Sequence, residues 1–478
     1  MANNWSSFQC DIFDFVCFGD ENAIINAVAG SGKTSTIVEA MRRISRSSLF
    51  LAFNKSIAEE LKGRGVNART FHSLTYSPVT RHKKVKDLTA NKLRILCEQN
   101  LTGKDSALYT SFACRLVSLG KQMGIGCLVP DIEQTWLDLC IHHDLEPEQD
   151  DADLGKGIKI ASDLLDWSNQ SSMVDFDDLL YVAVKDGLIL PKFDIIFVDE
   201  AQDTNAIQRA LLRKLLGNRS RLIAVGDPAQ AIYGFRGADS NSLALIKKEF
   251  DCQSLPLSIS YRCPQSVVKY AQQWLPSISA APGATVGVVE DLETRWDHNT
   301  FLAEDLVVCR TTAPLISLAF KLMRKRVPVS VIGRDIGQNL KALVNRFKAS
   351  ELSELDSKLE FYCDKEVEKA KAKGDDAKVE RIQDMVESLR CLIEGLDEDE
   401  NISDLVRIID NLFSSRTNAV VLSTIHKAKG LEADRVFWLD RKKCPSKWAK
   451  KDWQMQQEEN LCYVATTRAK EELYFIEF

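Results

Sequence analysis

Ala27-Val28-Ala29-Gly30-Ser31-Gly32-Lys33-Thr34 is a run of small residues closed by an ammonium and a hydroxyl. The chemistry that suits it is phosphate binding. Small residues let consecutive backbone N–H groups wrap an anion, and the following helix adds its positive end. Lys33 can neutralise β/γ-phosphate charge and Thr34 can hold Mg²⁺. The run fits the P-loop pattern except that Ala27 replaces its first glycine. A second point is Phe193-Asp194-Ile195-Ile196-Phe197-Val198-Asp199-Glu200, an apolar stretch ending in two carboxylates. At the carboxyl end of a parallel strand, side chains face the ligand crevice. There Asp199 can bind Mg²⁺ and Glu200 can polarise an attacking water. Each run has a plainer reading, as an ordinary strand–turn–helix and a solvated strand end. Together they favour nucleotide hydrolysis or transfer and leave its purpose open.

Elements must position these groups. Ile24 to Val28 reads as a strand entering the glycine loop, and Thr34 to Ile44 as the helix after it. Leu49–Phe53, Val66–Phe71, Ile195–Val198 and Leu222–Val225 read as further strands. Strands alternating with helices imply a parallel sheet covered on both faces. From about 77 to 174 strand-like runs are few, and Phe112, Leu116 and Leu119 mark a helical face. A second α/β unit starts near Ser254, with strands at Leu306–Cys309, Val329–Ile332 and Ala419–Ser423. Between its halves, Val379, Ile382, Val386, Leu389 and Ile393 are spaced as the seam of a packed helix pair, and Gly374-Asp375-Asp376 can turn the preceding helix back. The predicted organisation is α/β, with 1–76 and 175–253 as the first domain and 77–174 as its helical insertion. The second domain is 254–335 with 411–478, interrupted by a shorter helical insertion at 336–410.

Composition narrows the class. With 478 residues, 45% apolar and 27% charged, the chain is of ordinary globular type with two to four domains. No apolar run approaches the roughly 20 residues of a membrane helix, so no membrane role is expected, and Met-Ala-Asn-Asn-Trp lacks the features of a secretory signal. Thirteen scattered cysteines without a Cys-x-x-Cys pair argue against a disulfide framework or a standard zinc site, and fit a reducing compartment, cytoplasmic or nuclear. A net charge of −6 excludes a globally basic nucleic-acid binder, so such binding would need local patches.

Further motifs carry a resemblance. Asp199-Glu200-Ala201-Gln202-Asp203 resembles motif II of superfamily 1 helicases of the UvrD/Rep type. Gly226-Asp227-Pro228-Ala229-Gln230-Ala231-Ile232-Tyr233-Gly234-Phe235-Arg236-Gly237-Ala238 resembles motif III, and Tyr261-Arg262 motif IV. Thr424-Ile425-His426-Lys427-Ala428-Lys429-Gly430-Leu431-Glu432 is similar to motif V, and Tyr463-Val464-Ala465-Thr466-Thr467-Arg468-Ala469 to motif VI. Phe53-Asn54-Lys55 and Thr70-Phe71-His72-Ser73-Leu74 are similar to the DNA-contacting motifs Ia and Ib. The last two are closest in flavour to the helicase part of F-box DNA helicases, without an F-box. The motifs stand in family order from Gln9 to the C-terminus.

The resemblance implies two RecA-like parallel-sheet domains, each with a mainly helical insertion, and an ATP- and Mg²⁺-dependent DNA helicase or translocase moving 3′ to 5′ on single-stranded DNA. It implies that Gln9 reads adenine, that Ala29, Gly30, Ser31, Gly32, Lys33, Thr34 and Ser35 cradle the phosphates, and that Thr34 and Asp199 hold the metal. Glu200 activates water, Gln230 senses the γ-phosphate, Tyr261 stacks on adenine and Glu432 holds the ribose. Arg262 and Arg468 act as arginine fingers. For DNA it implies stacking by Phe53, Phe71 and Phe235, with Asn54, Thr70, His72, Thr424 and His426 as polar contacts. Stacking is worth about 1–3 kcal/mol per base and tolerates any sequence. For each phenylalanine a core position is the plain alternative, and for each arginine a surface ion pair. Three basic clusters are candidate phosphate contacts: Arg81, Lys83, Lys84 and Lys86; Lys321, Arg324, Lys325 and Arg326; and Arg441 to Lys451. The expected partners are single-stranded DNA and single-/double-strand junctions. Two alternatives share the same motifs: a translocase that clears DNA-bound proteins with little strand separation, and a nucleotide-gated DNA-binding scaffold. The insertion at 336–410 is much shorter than in the family's usual members, which bears on processivity.

Overall fold

The computed structural model describes residues 5–143, 145–147, 152–234, 237, 241–372, 375–397, 399–414 and 416–478. The chain divides into two compact units, one of residues 1–28 and 32–258, the other of 29–31 and 259–478.

The first unit runs α1 (Ser7–Phe18), β1 (Asn22–Ala27), α2 (Lys33–Arg42), β2 (Ser48–Leu51), α3 (Lys55–Gly63) and β3 (Ala68–Arg69). Then come α4 (Phe71–Lys83), α5 (Lys92–Asn100), α6 (Gly103–Met123), α7 (Glu133–His143), α8 (Leu154–Gln170) and α9 (Asp178–Lys185). The unit closes with β4 (Phe193–Val198), α10 (Ala206–Leu215), β5 (Leu216–Gly226), α11 (Ser242–Glu249) and β6 (Cys252–Leu257). The six strands form one sheet in the order β3-β2-β4-β5-β1-β6, with parallel neighbours throughout. Alternation along the strands feeds two cores. Ile24, Leu49, Leu51, Ile196 and Val198 pack with α4 to α10. Ile25, Phe50, Ile195 and Phe197 pack on the other face with α1, α2 and α3. The predicted α/β class with a parallel sheet covered on both faces is what the unit shows.

Two details differ from expectation. The predicted strand Val66–Phe71 is only Ala68–Arg69, because Thr70 starts a helix. Its Oγ1 accepts from Ser73 N–H at 3.1 Å, and Ser73 Oγ accepts from Thr70 N–H at 3.0 Å, a reciprocal cap that outcompetes the sheet. The predicted boundary at 253/254 falls inside β6. That strand pairs in parallel with β1 from Asn22↔Cys252 to Ala27↔Leu257, so residues 254–257 belong to the first sheet. The cue read as a new unit is this sheet's edge.

The second unit begins with β7 (Ile259–Ser260), α12 (Gln265–Ala271), β8 (Ser279–Ala280), β9 (Val288–Glu293), β10 (Leu306–Cys309), α13 (Ala313–Arg324) and β11 (Val329–Val331). Four helices follow, α14 (Arg334–Phe347), α15 (Leu352–Ala372), α16 (Asp376–Glu394) and α17 (Ile402–Leu412). It ends with β12 (Val420–Thr424), β13 (Ala433–Leu439), α18 (Asp452–Thr466) and β14 (Ala469–Ile476). The main sheet has the order β11-β12-β10-β13-β14-β9, again with parallel neighbours. Val379, Ile382, Val386 and Leu389 of α16 are buried, joined by Leu392, while Ile393 is only partly buried. They share one core with Val307, Val331, Leu422 and Phe437 of the sheet. Of the predicted turn, Gly374 lies outside the described residues, and Asp375 caps α16 by accepting from Lys378 N–H at 2.9 Å. All thirteen cysteines are free thiols. Among the described residues no helix is long and apolar enough to cross a membrane.

Candidate nucleotide site and nucleic-acid groove

The loop from β1 to α2 turns on Gly30 (φ 71°) and Gly32 (φ 75°), left-handed positions that disfavour a side chain. Gly32 is the N-cap of α2 and makes no side-chain cap, so first-turn N–H groups remain for an anion. Ser31 Oγ is buried without a hydrogen-bond partner. A buried orphan hydroxyl beside a helix N-terminus fits a phosphate oxygen as its missing acceptor. Ser35 is exposed on the first turn. Gln9 is buried near this helix: its Nε2 donates to Thr36 Oγ1 at 2.9 Å and its Oε1 accepts from Ser6 N–H at 3.0 Å.

The end of β4 brings the acidic pair to the same place. Lys33 Nζ lies 3.1 Å from Glu200 Oε1, and Thr34 Oγ1 donates to Asp199 Oδ2 at 3.4 Å. Glu200 has φ 51°, and its N–H donates to Asp199 Oδ1 at 3.0 Å. Burial alone would lower the Lys33 ammonium, but Glu200, Asp227 and Asp199 outweigh it and hold it above its ordinary value. Burial, then the charge of Glu200, pushes the Asp199 carboxyl up to about 6 against the pull of Lys33. Burial also raises Asp227. Three carboxylates thus share one ammonium, a field that favours a divalent cation. Thr34 and Asp199 supply hard oxygen donors of the kind Mg²⁺ prefers.

Two residues without an expected role complete this site. Gln202 Nε2 donates to Glu200 Oε2 at 2.5 Å, while its Oε1 accepts from Asp227 N–H at 3.1 Å. It ties the acidic strand end to the end of β5. A Cβ at Gly226 would lie 2.4 Å from that Oε1, so the link needs glycine there. Asp227 in turn accepts from Gln230 Nε2 at 2.7 Å and fixes the glutamine's amide. Gly226-Asp227 standing between two apolar strand ends and Gln230 was the available signal.

The same unit holds a groove of about 500 Å³ lined by Phe53, His72, Phe176 and Tyr233, with Arg115 and Gln122 among its polar residues. Phe53 and Tyr233 stack at 6.0 Å and 9°, and His72 and Phe176 at 3.8 Å and 18°. Phe53 and Phe176 are 48% and 58% exposed, far from the usual fate of large apolar rings. Phe71 corrects the expectation of a stacking surface: it is 8% exposed and packs in the core, because the first turn of α4 points it inward and leaves His72 outward. Phe176 takes the place beside His72. Burial pushes the His72 imidazole down to about 4, so it is a neutral ring at physiological pH. Asn54 and Thr70 side chains cap α3 and α4. Phe235 lies outside the described residues.

In the second unit Arg262 Nη2 pairs with Glu432 Oε2 at 2.6 Å, and its Nη1 donates to Thr467 O at 3.3 Å. Arg468 donates from Nε to Val464 O (2.9 Å), from Nη1 to Leu431 O (3.2 Å) and from Nη2 to Thr467 Oγ1 (3.1 Å). Tyr261 is 47% exposed. Thr424 is buried at the end of β12, and His426 is partly exposed two residues on. The basic run 441–451 is largely neutralised. Arg441 pairs with Asp291, Lys442 with Glu477, Lys443 with Asp440 and Lys450 with Asp376. Lys84, Lys86, Lys325 and Arg326 of the other two clusters are exposed.

The family model of the UvrD/REP helicase N-terminal domain matches residues 12–251, half of the chain, and that of the UvrD-like helicase C-terminal domain matches residues 332–478. The chain belongs to the UvrD/Rep helicase family. Its two parallel-sheet units are the RecA-like pair of that family. This UvrD-type chain is 27% identical to F-box DNA helicase protein 1 of Schizosaccharomyces pombe, over 94% of the chain and 55% of that protein. It is 27% identical to a probable DNA helicase II homolog of Mycoplasma pneumoniae, over 55% of the chain and 42% of that protein. With the ATP-dependent DNA helicase PcrA of Staphylococcus aureus the identity is 23%, over 64% of the chain and 59% of that protein. The UvrD-type chain therefore spans about half the length of the relatives it matches.

Proposed function

We propose that this protein is an ATP-dependent DNA helicase that moves 3′ to 5′ on single-stranded DNA. The observation that carries the reading is the grouping of Lys33, Thr34, Asp199, Glu200, Asp227 and Gln230 in the unit that also presents the exposed ring pairs Phe53–Tyr233 and His72–Phe176. Membership of the UvrD/Rep family and the names of the relatives support it.

In this reading the loop N–H groups and Lys33 bind the β- and γ-phosphates. Thr34 and Asp199 would hold Mg²⁺, which would supply charge neutralisation to the phosphates. Glu200, released from Lys33 when that ammonium turns to phosphate, orients the attacking water, and Gln230 reports the γ-phosphate from its hold on Asp227. Arg262 and Arg468 are assigned to transition-state charge, Gln9 and Tyr261 to adenine and Glu432 to ribose. The aromatic groove takes bases without regard to sequence. Single-stranded DNA and junctions are the proposed partners, in a reducing compartment.

ATP turnover with and without oligonucleotide tests this. Single-stranded DNA is expected to stimulate turnover in the wild type, and Lys33→Ala to lose it by at least about 100-fold, the scale of a removed transition-state charge contact. Full DNA-stimulated turnover in Lys33→Ala would falsify the assignment. Displacement of 3′-tailed but not 5′-tailed duplexes checks direction. Filament clearing without displacement would point to the translocase alternative instead.

A further inference from the structure

Resting on the reading of the aromatic groove as the strand-binding surface, we infer that Lys92 and Lys121, with the carboxylates of Asp175, Asp177 and Asp178, are positioning residues that hold the exposed Phe176 ring ready to stack on a base. Phe176 is 58% exposed, yet the residues around it are tied down. Val174 O accepts from Thr89 N–H at 2.7 Å. Asp175 and Asp178 cap each other, with N–H to carboxylate distances of 2.9 and 2.8 Å. Lys121 Nζ reaches Asp175 Oδ2 at 2.9 Å and Asp178 Oδ1 at 2.7 Å. Lys92 Nζ reaches Asp178 Oδ2 at 2.6 Å and Ser168 O at 2.8 Å. Ser118 Oγ donates to Asp177 Oδ2 at 2.5 Å. The lysine side chains are 1% and 0% exposed.

Charge buried this way is a poor source of stability, because desolvation offsets most of the attraction. Its effect is on arrangement. Each oxygen of Asp178 has its own ammonium, so a loop shifted by one residue would leave carboxylate and ammonium buried and unpaired. An apolar anchor would tolerate that slip. The pin acts on Asp175, Asp177 and Asp178, and the ring at 176 is left no route into the core. His72 supports the ring at 3.8 Å, leaving its outer side for a second aromatic plane. Burial would raise the Asp178 carboxyl, but Lys121 and then Lys92 overcome it and hold it below its ordinary range. Burial would lower Lys121, but Asp178 and Asp175 hold it above its own.

The test is a double-mutant cycle on the full chain, read by anisotropy of a fluorescein-labelled oligo(dT) at several salt concentrations. Phe176→Ala is expected to weaken binding about tenfold, the scale of one lost stacking contact. Lys92→Met, which touches no part of the groove, is expected to weaken it about three- to tenfold with the salt dependence unchanged, since no phosphate contact is lost. In Phe176→Ala/Lys92→Met the second change is expected to add nothing, because it acts only through the ring. DNA-free ATP turnover stays at the wild-type level in Lys92→Met. The inference is overturned if the folded Lys92→Met protein binds like wild type, if the two losses multiply, or if the salt slope falls. Lys92→Gln, also outside the groove and able to keep one donor toward Ser168 O or Asp178, serves the same cycle should Lys92→Met fail to fold. A wild-type protein that binds no oligonucleotide at any salt sinks the strand-binding reading itself, a result distinct from each of these.

Discussion

In the first unit, the helices between β3 and β4 meet the sheet through an apolar core, and are tied to one another by a buried cluster of two lysines and two aspartates. In the second unit, α14 to α17 merge into the sheet's core through an apolar seam, and the ion pairs these helices make are partly exposed, while the better-buried pair of Arg310 with Glu458 at 2.6 Å ties the end of β10 to α18 instead. Arg310 (16% exposed) also lies 3.4 Å from Glu380 (23% exposed), and Asp384 accepts from Thr312 and Ala313 N–H at 2.8 Å to cap α13. Apolar packing holds an element in place by bulk and tolerates small slips, whereas paired charges hold one arrangement. The pinned arrangement lies beside an exposed ring in a groove, and the packed one does not. The difference suggests that the first set of helices presents a surface and the second supports a sheet.

Three perturbations bear on that contrast. Lys121→Ala leaves Asp175 and Asp178 short of an ammonium, and is expected to destabilise the protein by about 3–5 kcal/mol in urea unfolding. A loss no larger than that of a surface substitution would remove the contrast. Leu389→Ala, at a fully buried seam position, is expected to cost about 2–5 kcal/mol through transfer and cavity terms. That loss should keep the same size at acid and neutral pH, because nothing at the seam titrates. The third involves His72, held near 4 by burial against an ordinary value of 6.5. As pH falls, the unfolded chain takes up the proton first. The contribution is therefore complete above about pH 6.5 and lost progressively toward about pH 4, by at most about 3 kcal/mol. His72→Phe keeps the ring and should flatten that part of the stability–pH curve. An unchanged slope would assign the acid sensitivity to other groups.

Much of this was readable from residue order. The strand Leu306–Cys309 and the buried seam positions Val379 to Leu389 follow from apolar runs and spacing, which report directly on burial. The pair Lys33 and Glu200 was readable because phosphate chemistry narrows the residue types it can use. Other features lay beyond reach. Phe71 and His72 are neighbours of opposite fate, and only the angle at which α4 starts decides which ring faces water. Phe176 carries no periodic signal, and its role depends on lysines 84 and 55 positions away in sequence. The strand at 252–257 carries no mark of the sheet to which it belongs, because edge pairing is a long-range choice. The neutralisation of Arg441 to Lys450 by Asp291, Asp376 and Glu477 is likewise invisible in a local charge count.

The shared core of the second sheet has a consequence for how the chain is made. Strands β10 and β11 leave the ribosome before α14 to α17, and β12, which lies between them in the sheet, comes only after those helices. Because β9 pairs with β14, β10 with β12 and β13, and β11 with β12, the growing polypeptide carries three strands with no partner in the sheet until β12 appears, and unpaired strands invite aggregation. The four helices emerge before β12 and carry the apolar seam that shares the finished sheet's core. Excising them to shorten the protein would therefore show itself first as a failure of yield from cells.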